Sequence, residues 1–533
     1  MKKIICSFFA LSLLVTTSCK KEFFDINDNP NSPIEKDITN AFILPRALQS
    51  TASRIGTGFD YAAFWTGYWG RSGSYGQSIE LESYALTNAF QSTQFTGWYD
   101  LLYDVDLMEK QGRTFKQPFY EAAAKTLKAI GFMYLVDQYN NVPYKQAFNV
   151  TSTLLPAYDK GEDIYADLLV QLDAAAKLFA ATDPASIDTK VAGSDIMFAG
   201  DTKLWRKLIN TWRLKLLIHE SQVVTVAART AVLAQITADG SGYLAAGEQA
   251  SVNPGYAVAD GQQNPFYNAY KVTALGITDQ YNRANTYILN KYAGPDGLLG
   301  ANNDLTAAGR AASITQGADD DVRYQYVFSK AAFPLKNPVY PATTAPTATI
   351  LYNYSSVRFG ELVPNSDIYR QQNQSDVAGP GLAKSPTQRQ PIITSVESLF
   401  LQSEAIERGW IAGSGPTALT AAITESYNYL GATDANGFIA RTLVDYNNSA
   451  NKINFSVNQK YLSLIGLDNF EAYVDYRRLG VPSDVPLSLN ASRGSNVVPL
   501  RLLYPQVEYN NNQANVAAQG TINAQTSTIF WDR

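Results

Sequence analysis

The chain has 533 residues, and 46% of them are hydrophobic, which excludes a disordered protein and allows a sizeable core. The 43 basic and 48 acidic side chains leave a net charge of −5, so the chain lacks the basic excess of a nucleic-acid-binding protein. One histidine and two cysteines nearly exclude a zinc site of imidazoles and thiolates, and we expect neither a metal nor a cofactor.

The N-terminus predicts a processed and lipidated precursor. Lys2 and Lys3 precede an apolar stretch at 4–15, which is too short to span a bilayer as a mature helix. Small residues and then Cys19 follow, as in a bacterial lipoprotein signal that is cleaved before Cys19 and lipidated on its sulfur. The alternative is an ordinary secretory signal with an incidental cysteine. We expect residues 1–18 to be removed and 19–37 to form a lipidated flexible tether.

Helical periodicity dominates the regions 38–240 and 391–480. Apolar residues recur there at spacings of three and four, which predicts helices over 42–54, 91–112, 119–139, 163–180, 204–224, 392–409, 416–430 and 456–480. Most of them form pairs of about 35–45 residues, the size of tetratricopeptide-like units. We predict a mainly α-helical repeat scaffold in one domain over 38–533, with long irregular loop insertions and few short strands.

The periodicity weakens between 241 and 390, where glycine, proline, asparagine, aspartate and tyrosine accumulate. A long irregular insertion usually carries function, so we expect it on the ligand side of the domain. Two segments rich in aspartate and asparagine, 296–304 and 319–321, offer oxygen ligands for calcium. Their spacing does not fit an EF-hand loop, and solvated turns are the better interpretation.

Aromatic residues crowd a glycine-rich segment at 59–84. Trp65, Trp69 and Tyr75 are candidate ligand-binding residues, because glycine-rich loops bury large rings poorly and an exposed ring stacks well on a sugar. The alternative is that Trp65 and Trp69, four residues apart, form one face of a short core helix.

A second aromatic and polar cluster lies at 262–270, inside the irregular insertion. Its candidate ligand-binding residues are Asn264, Tyr267 and Tyr270, with Tyr281 nearby. Amide and phenol groups hydrogen-bond readily to hydroxyls, so this cluster is expected to approach the first one around a bound ligand.

His219, the only imidazole, shares a helical stripe with Trp205, Trp212 and Leu216. This stripe is the apolar face, so a buried structural ring is favoured, although a Ser/His/acid triad would have to use His219. The sequence has no nucleophile-elbow, zincin or phosphate-loop motif and singles out no pair of acids for glycoside cleavage. We therefore predict no catalytic residue.

Several segments resemble the SusD/RagB family of nutrient-binding outer-membrane lipoproteins, in particular its SusD-like 2 branch. The turn YNNVPY at 139–144 is similar to a GdVPy-type turn of the family, with asparagine in place of its glycine. The most specific segments, 459–482 and 499–515, resemble the signatures dyRRtg.P and RllYP..E...N. Weaker similarity at 158–169 and 393–410 extends the resemblance over essentially the whole chain after Cys19.

The resemblance implies a tetratricopeptide-like helical scaffold and a binding function without catalysis. It also implies a surface-facing, lipid-anchored outer-membrane protein that acts as a lid on a SusC-like TonB-dependent barrel. The ligand would be an oligosaccharide or another nutrient, including a peptide. No ligand contact transfers residue by residue, because the binding loops of the family vary.

Arg477 and Arg478 belong to the dyRRtg.P signature and have two interpretations. They could contact ligand, or they could pair with Glu471 and Asp475 in a structural network, which is the favoured interpretation. Two other functions remain open at this stage. A surface-anchored glycan- or peptide-degrading enzyme would need a perturbed carboxylate or metal site, and a purely structural surface protein would lack an aromatic-lined concavity.

Overall fold

A computed structural model describes residues 38–292, 321–332, 354–362 and 371–532. Helices predominate in these ranges, as predicted. Those of the first half are α1 (Asn40–Thr57), α2 (Asp60–Trp65), α3 (Ile79–Ser83), α4 (Ser92–Thr114), α5 (Pro118–Tyr139), α6 (Gly161–Ala181), α7 (Thr189–Ser194), α8 (Thr202–His219) and α9 (Val226–Asp239). None of the described helices is both long and apolar enough to cross a membrane.

The later helices fall into two groups. Short helices punctuate the insertion, and longer ones return after residue 394. They are α10 (Pro265–Tyr270), α11 (Thr286–Tyr292), α12 (Tyr324–Val327), α13 (Ser395–Glu407), α14 (Gly415–Leu430), α15 (Ala435–Asn448), α16 (Lys452–Leu464), α17 (Asn469–Leu479), α18 (Gln506–Asn511) and α19 (Gln513–Ala517).

Successive long helices pack side by side, α4 on α5, α5 on α6 and α13 on α14. The two helical regions also meet directly, because α13 packs against α8 and α17 packs against α2. Residues of both regions share one large hydrophobic core, which contains Trp98, Trp205 and Trp212 from the first region and Phe470 from the second.

The expected helix over 456–480 is wrong in one respect, because the structure divides it into α16 and α17. Gly466 between them has φ of +71°, a left-handed conformation that ends the first helix at little cost for glycine. Asp468 then caps α17, since its carboxylate accepts hydrogen bonds from the N–H groups of Phe470 and Glu471 at 3.1 and 3.0 Å.

The strands are short and form three antiparallel pairs in the described residues: β1 (Trp69–Arg71) with β5 (Asn282–Ala284), β2 (Val142–Pro143) with β3 (Tyr158–Asp159), and β4 (Ala250–Val252) with β6 (Gln390–Ile393). In the first pair Trp69 lies opposite Ala284. This pair joins the aromatic segment to the insertion, and the pair β4–β6 joins the beginning of the insertion to its end.

A cluster of charged side chains, the buried ionic network, lies at the centre of the helical scaffold. Lys215 on α8 is 1% exposed, and its ammonium lies 2.6 Å from Glu397, 3.1 Å from Asp468 and 3.0 Å from Glu471. Lys460 on α16 pairs with the other oxygen of Glu471 at 2.8 Å. The attraction between these buried charges offsets the cost of removing them from water only when every partner is in place. The ion pairs therefore fix the positions of α8, α13, α16 and α17, which carry or adjoin the partners.

His219 extends the buried ionic network to α5. Its Nδ1 lies 3.0 Å from Asp137, and its Nε2 lies 2.9 Å from Glu471. Burial disfavours the charged imidazolium, but the carboxylates of Glu471 and Asp137 outweigh this cost and raise the pKa of His219. The expectation of a buried structural imidazole is confirmed.

Arg478 closes the other end of the network. Its guanidinium binds Glu404 on α13 through two hydrogen bonds of 2.7 and 2.5 Å, and Asp475 through one of 2.9 Å. Arg477 lies 4.2 Å over the Tyr473 ring and donates to backbone carbonyls. The structural interpretation of the two arginines is confirmed, although Glu471 binds lysines and histidine rather than Arg478.

We predict that His219→Gln lowers the free energy of unfolding by about 3–5 kcal/mol at pH 6, because it leaves the buried carboxylate of Asp137 without its cation, while Glu471 keeps Lys215 and Lys460. The pKa of His219 is higher in the folded protein than in the unfolded chain. Its contribution to the free energy of unfolding is therefore complete below pH 6.5 and is lost as the pH rises through the folded-state pKa. The difference between wild type and variant, measured by urea unfolding, should therefore shrink from pH 6 to pH 9. A difference that stays constant or grows would contradict a protonated His219.

Candidate functional site

The structure corrects the expectation that the tryptophans of the first aromatic segment face solvent. Trp65 is 1% exposed and Trp69 is fully buried. Trp65 ends the short helix α2, where its Nε1 donates to the Leu81 carbonyl at 3.1 Å. Trp69 begins β1, and the rings of Phe64 and Tyr270 contact its ring. Both rings belong to the core, as the alternative interpretation had it, but they do not form one face of a short helix, because the helix ends at Trp65 and Trp69 lies on a strand.

Two residues of the second cluster are also buried. Asn264 caps α10, where its Oδ1 accepts from the Tyr267 N–H at 2.9 Å and its Nδ2 donates to Gln390 at 3.0 Å. Tyr270 is 6% exposed and packs edge-on against Trp69 with 5.0 Å between ring centroids. The two clusters therefore meet, as predicted, but they meet inside the protein.

Tyr75 is the one candidate ring with a large exposed area, at 41%, while Tyr267 is half-buried. The Tyr75 ring packs edge-on against Tyr281 at 5.3 Å, and Tyr281 in turn contacts Phe64 at 6.0 Å. Phe64 lies 6.3 Å from Trp69. A continuous series of rings thus runs from the surface into the core and supports the exposed tyrosine from below.

Hydrogen bonds between distant segments hold the loop that carries Tyr75. Ser72 donates through its N–H to the Tyr281 carbonyl at 2.8 Å and through its hydroxyl to the Gln280 carbonyl at 2.7 Å. Gln77 donates to the Gly360 carbonyl at 2.7 Å. These contacts reduce the conformational freedom that the loop would lose on binding.

Two carboxylates act electrostatically on tyrosines of this region. The charge of Asp279 acts on Asp60, and both carboxylates act on the Tyr270 phenol. Asp60 also acts on the phenol of Tyr281. We call Tyr75, Tyr281, Asp60 and Asp279 the tyrosine–aspartate surface.

Asp60 is half-buried, and within the described part of the chain it has no cationic partner. Desolvation raises the pKa of its carboxyl to about 6, the charge of Asp279 adds to this rise, and backbone N–H groups oppose it. Burial also raises the pKa of Asp279, although this carboxylate accepts from the Tyr281 N–H at 2.9 Å.

The tyrosine–aspartate surface combines a flat apolar ring with strong hydrogen-bond acceptors. A sugar presents C–H faces that stack on such rings and hydroxyls that donate to carboxylates. An acid that is desolvated without a counter-ion destabilises the free protein at neutral pH, which is typical of binding sites. Asp60 was missed by the sequence analysis, because it lies 219 residues from Asp279 and shares no motif with it.

The other clusters of acidic side chains in the described residues form ion pairs within the protein. Glu397, Asp468 and Glu471 have the proximity of a metal site, but the ammonium of Lys215 lies among them. Asp321 pairs with Arg323 at 2.6 Å, as a buried acid would. The other possible calcium ligands, at 296–304, 319 and 320, lie outside the described residues.

We predict that Asp60→Asn stabilises the protein near pH 7 relative to wild type but not near pH 4. The pKa of Asp60 is raised, so its stabilising contribution is complete below pH 3.8 and is lost as the pH rises to about 6. The change between pH 4 and pH 7 is at most about 3 kcal/mol for two pKa units. Thermal melting of both proteins at pH 4 and pH 7 measures this change. If the stability of Asp60→Asn relative to wild type fell between pH 4 and pH 7, the raised pKa of Asp60 would be contradicted.

We also predict opposite outcomes for two aromatic variants. Trp69→Ala should lose about 3–5 kcal/mol of stability, because it removes a fully buried ring. Tyr75→Ala should lose less than about 1 kcal/mol, because its ring is largely exposed. Equal losses in chemical denaturation would place Tyr75 in the core as well.

Comparison with known proteins identifies the family. A family model described as "Starch-binding associating with outer membrane", of the SusD-like 2 type, matches residues 30–505. No curated protein matches the chain.

Solved structures establish the fold. A SusD homologue from Parabacteroides distasonis is 17% identical, with a TM-score of 0.70 over 93% of this chain and 98% of that one. One from Bacteroides fragilis is 20% identical, with a TM-score of 0.67 over 93% and 100% of the two chains. A chitin-binding protein is also 20% identical at a TM-score of 0.67, over 93% and 99%. Together with the match over 30–505, these similarities show that the chain belongs to the SusD-like family of outer-membrane-associated binding proteins.

Proposed function

We propose that the protein captures oligosaccharides at the cell surface and delivers them, as a lid, to a SusC-like TonB-dependent transporter. Membership of a family described as starch-binding and associated with the outer membrane supports this role. A structurally similar protein is named for chitin binding, which supports a glycan ligand. Cys19, outside the described residues, would carry the lipid that anchors the chain to the outer membrane.

The observation that carries the proposal is the exposed Tyr75 ring, which packs on Tyr281, together with Asp60, which acts electrostatically on Tyr281 and has no cationic partner among the described residues. Tyr75 would stack on a sugar face, and Asp60 would accept hydrogen bonds from sugar hydroxyls. Tyr267, half-buried on α10, would extend the aromatic area. The binding role of the buried Trp65, Trp69, Asn264 and Tyr270 is limited to supporting these residues.

Hydrolysis is the second candidate function, because a carboxyl with a pKa of about 6 beside another carboxylate resembles an acid and its partner in a glycosidase. Asp279, however, accepts from the N–H groups of Tyr281 and Asn282 and from the Asn282 side chain, at 2.9, 3.3 and 3.1 Å. A carboxylate held in this way serves a turn and is poorly placed to attack a substrate. We therefore expect no release of reducing sugar from maltohexaose.

The first test is a glycan array on a soluble chain that begins after Cys19, followed by calorimetric titration of maltohexaose and chitohexaose. Tyr75→Ala should weaken binding of the recognised oligosaccharide about 5- to 30-fold, corresponding to about 1–2 kcal/mol of lost stacking. Tyr103→Ala is the matched control, because Tyr103 is another exposed ring, 49% exposed, on α4. Equal affinities for wild type and Tyr75→Ala would move the site elsewhere.

The pH dependence of binding tests the role of Asp60 separately. Its ionised carboxylate accepts more hydrogen bonds than the neutral acid, so affinity should rise between pH 5 and pH 7.5, through the pKa of about 6. Asp60→Asn should weaken binding at pH 7.5 and remove this dependence. A dependence that persists in the variant would exclude Asp60 as its source.

A further inference from the structure

A cleft of about 640 Å³ lies between the segment 382–389 and α14, and none of the residues of the tyrosine–aspartate surface lines it. A second cleft, of about 670 Å³, adjoins it near the start of α8. The two share Gly247, Gln249 and Arg389, so they form one continuous depression. We call it the Arg389 cleft.

Arg389 is held in the cleft without a carboxylate partner among the described residues. Its Nε donates to the Ser251 hydroxyl and carbonyl, both at 3.1 Å, and its Nη2 donates to the Met197 carbonyl at 2.8 Å. These neutral acceptors fix the guanidinium and leave its positive charge unbalanced. Its Nη1 makes no hydrogen bond within the described ranges and remains free to donate.

Lys384 provides a second unbalanced charge. Its ammonium donates to the Tyr429 carbonyl and lies 4.8 Å from the centre of the Tyr429 ring. Burial lowers the pKa of this ammonium, and no described carboxylate opposes the shift. Lys384 is therefore a cation that an acidic ligand would stabilise.

The turn that carries Lys384 is pre-organised. The Gln388 side chain accepts from the Lys384 N–H at 2.7 Å and donates to the Leu382 carbonyl at 2.9 Å. Asn264 anchors the same turn from α10, since its N–H donates to the Pro386 carbonyl at 2.7 Å. Little ordering is therefore needed when a ligand binds.

The acidic side chains of the Arg389 cleft are already engaged. Glu425 accepts from the Gly247 N–H at 2.9 Å and from the Ser395 hydroxyl. Glu248 pairs with Lys207 at 2.7 Å. Asp201 caps α8, where it accepts from the N–H groups of Lys203 and Leu204 at 2.9 and 3.0 Å. None of these three acids forms an ion pair with Arg389 or Lys384.

We propose that the Arg389 cleft is a second binding site, which holds the carboxylate or sulfate group of an acidic sugar. Arg389 would donate through its free Nη1, and Lys384 would supply a second, point-like charge. Gln249, whose Oε1 is buried without a hydrogen-bond partner in the described chain, would accept from a sugar hydroxyl. Neutral oligosaccharides are expected to bind at the tyrosine–aspartate surface only.

The test titrates the soluble chain with trigalacturonate, a sulfated galactan tetrasaccharide and the neutral control maltotriose. At least one acidic probe should bind about ten-fold more tightly than maltotriose, and its affinity should fall with added salt. Lys384→Gln should weaken that probe about ten-fold, the effect of losing one charge-assisted hydrogen bond, while Lys160→Gln should not. Comparing the two acidic probes identifies the carboxylate or the sulfate as the recognised group.

Amine footprinting locates the site independently of any variant. Lys384 should react readily with acetic anhydride, and the acidic probe should protect it from this reaction. Lys160, an exposed lysine immediately before α6, should react equally with and without the probe. The proposal is overturned if neither acidic probe binds better than maltotriose. It is also overturned if Lys384→Gln leaves the affinity for the acidic probe unchanged and the probe does not protect Lys384 from acetylation. Maltohexaose binding that is unchanged by Lys384→Gln shows that the first site does not depend on the second.

Discussion

The buried ionic network is the constraint on which the rest of the structure depends. Lys215, Lys460, His219 and Arg478 are all at most 1% exposed, and each contacts at least two carboxylates. Removing such charges from water costs several kcal/mol per ion, so the network is favourable only when its helices occupy one arrangement. It therefore specifies the arrangement of the helices more than it adds stability.

The same network holds the helix from which the proposed binding surface begins. Glu471 and Asp475 fix α17, and aromatic residues on that helix contact the last residue of α2 and the residue that precedes α2. Phe470 packs on Phe59 at 4.6 Å, and Tyr473 lies 5.7 Å from Trp65. Because both ends of α2 are held in this way, Asp60 at its first position is kept where its charge acts on Tyr281. The buried ionic network, the aromatic residues packed on it and the tyrosine–aspartate surface are thus connected by direct packing.

The sequence predicted what depends on local periodicity and missed what depends on distant partners. The long helices α4, α5 and α6 follow from apolar spacing and were placed within two residues at each end. The pairing of Arg478 with Asp475 was accessible because the two are three residues apart, whereas Glu404, 74 residues away, was not. The same difference explains the aromatic residues. Spacing alone could not decide whether Trp69 was exposed, since Tyr270, which covers it, lies 201 residues later.

Hydrogen–deuterium exchange of the soluble chain, with and without the oligosaccharide that binds most tightly, tests the central claim most directly. We predict that ligand protects backbone amides around Tyr75 and around Asp279 to Tyr281, while α8 and α17, held by the buried ionic network, exchange slowly with or without ligand. Protection confined to another surface, with the amides around Tyr75 unchanged, would contradict the account.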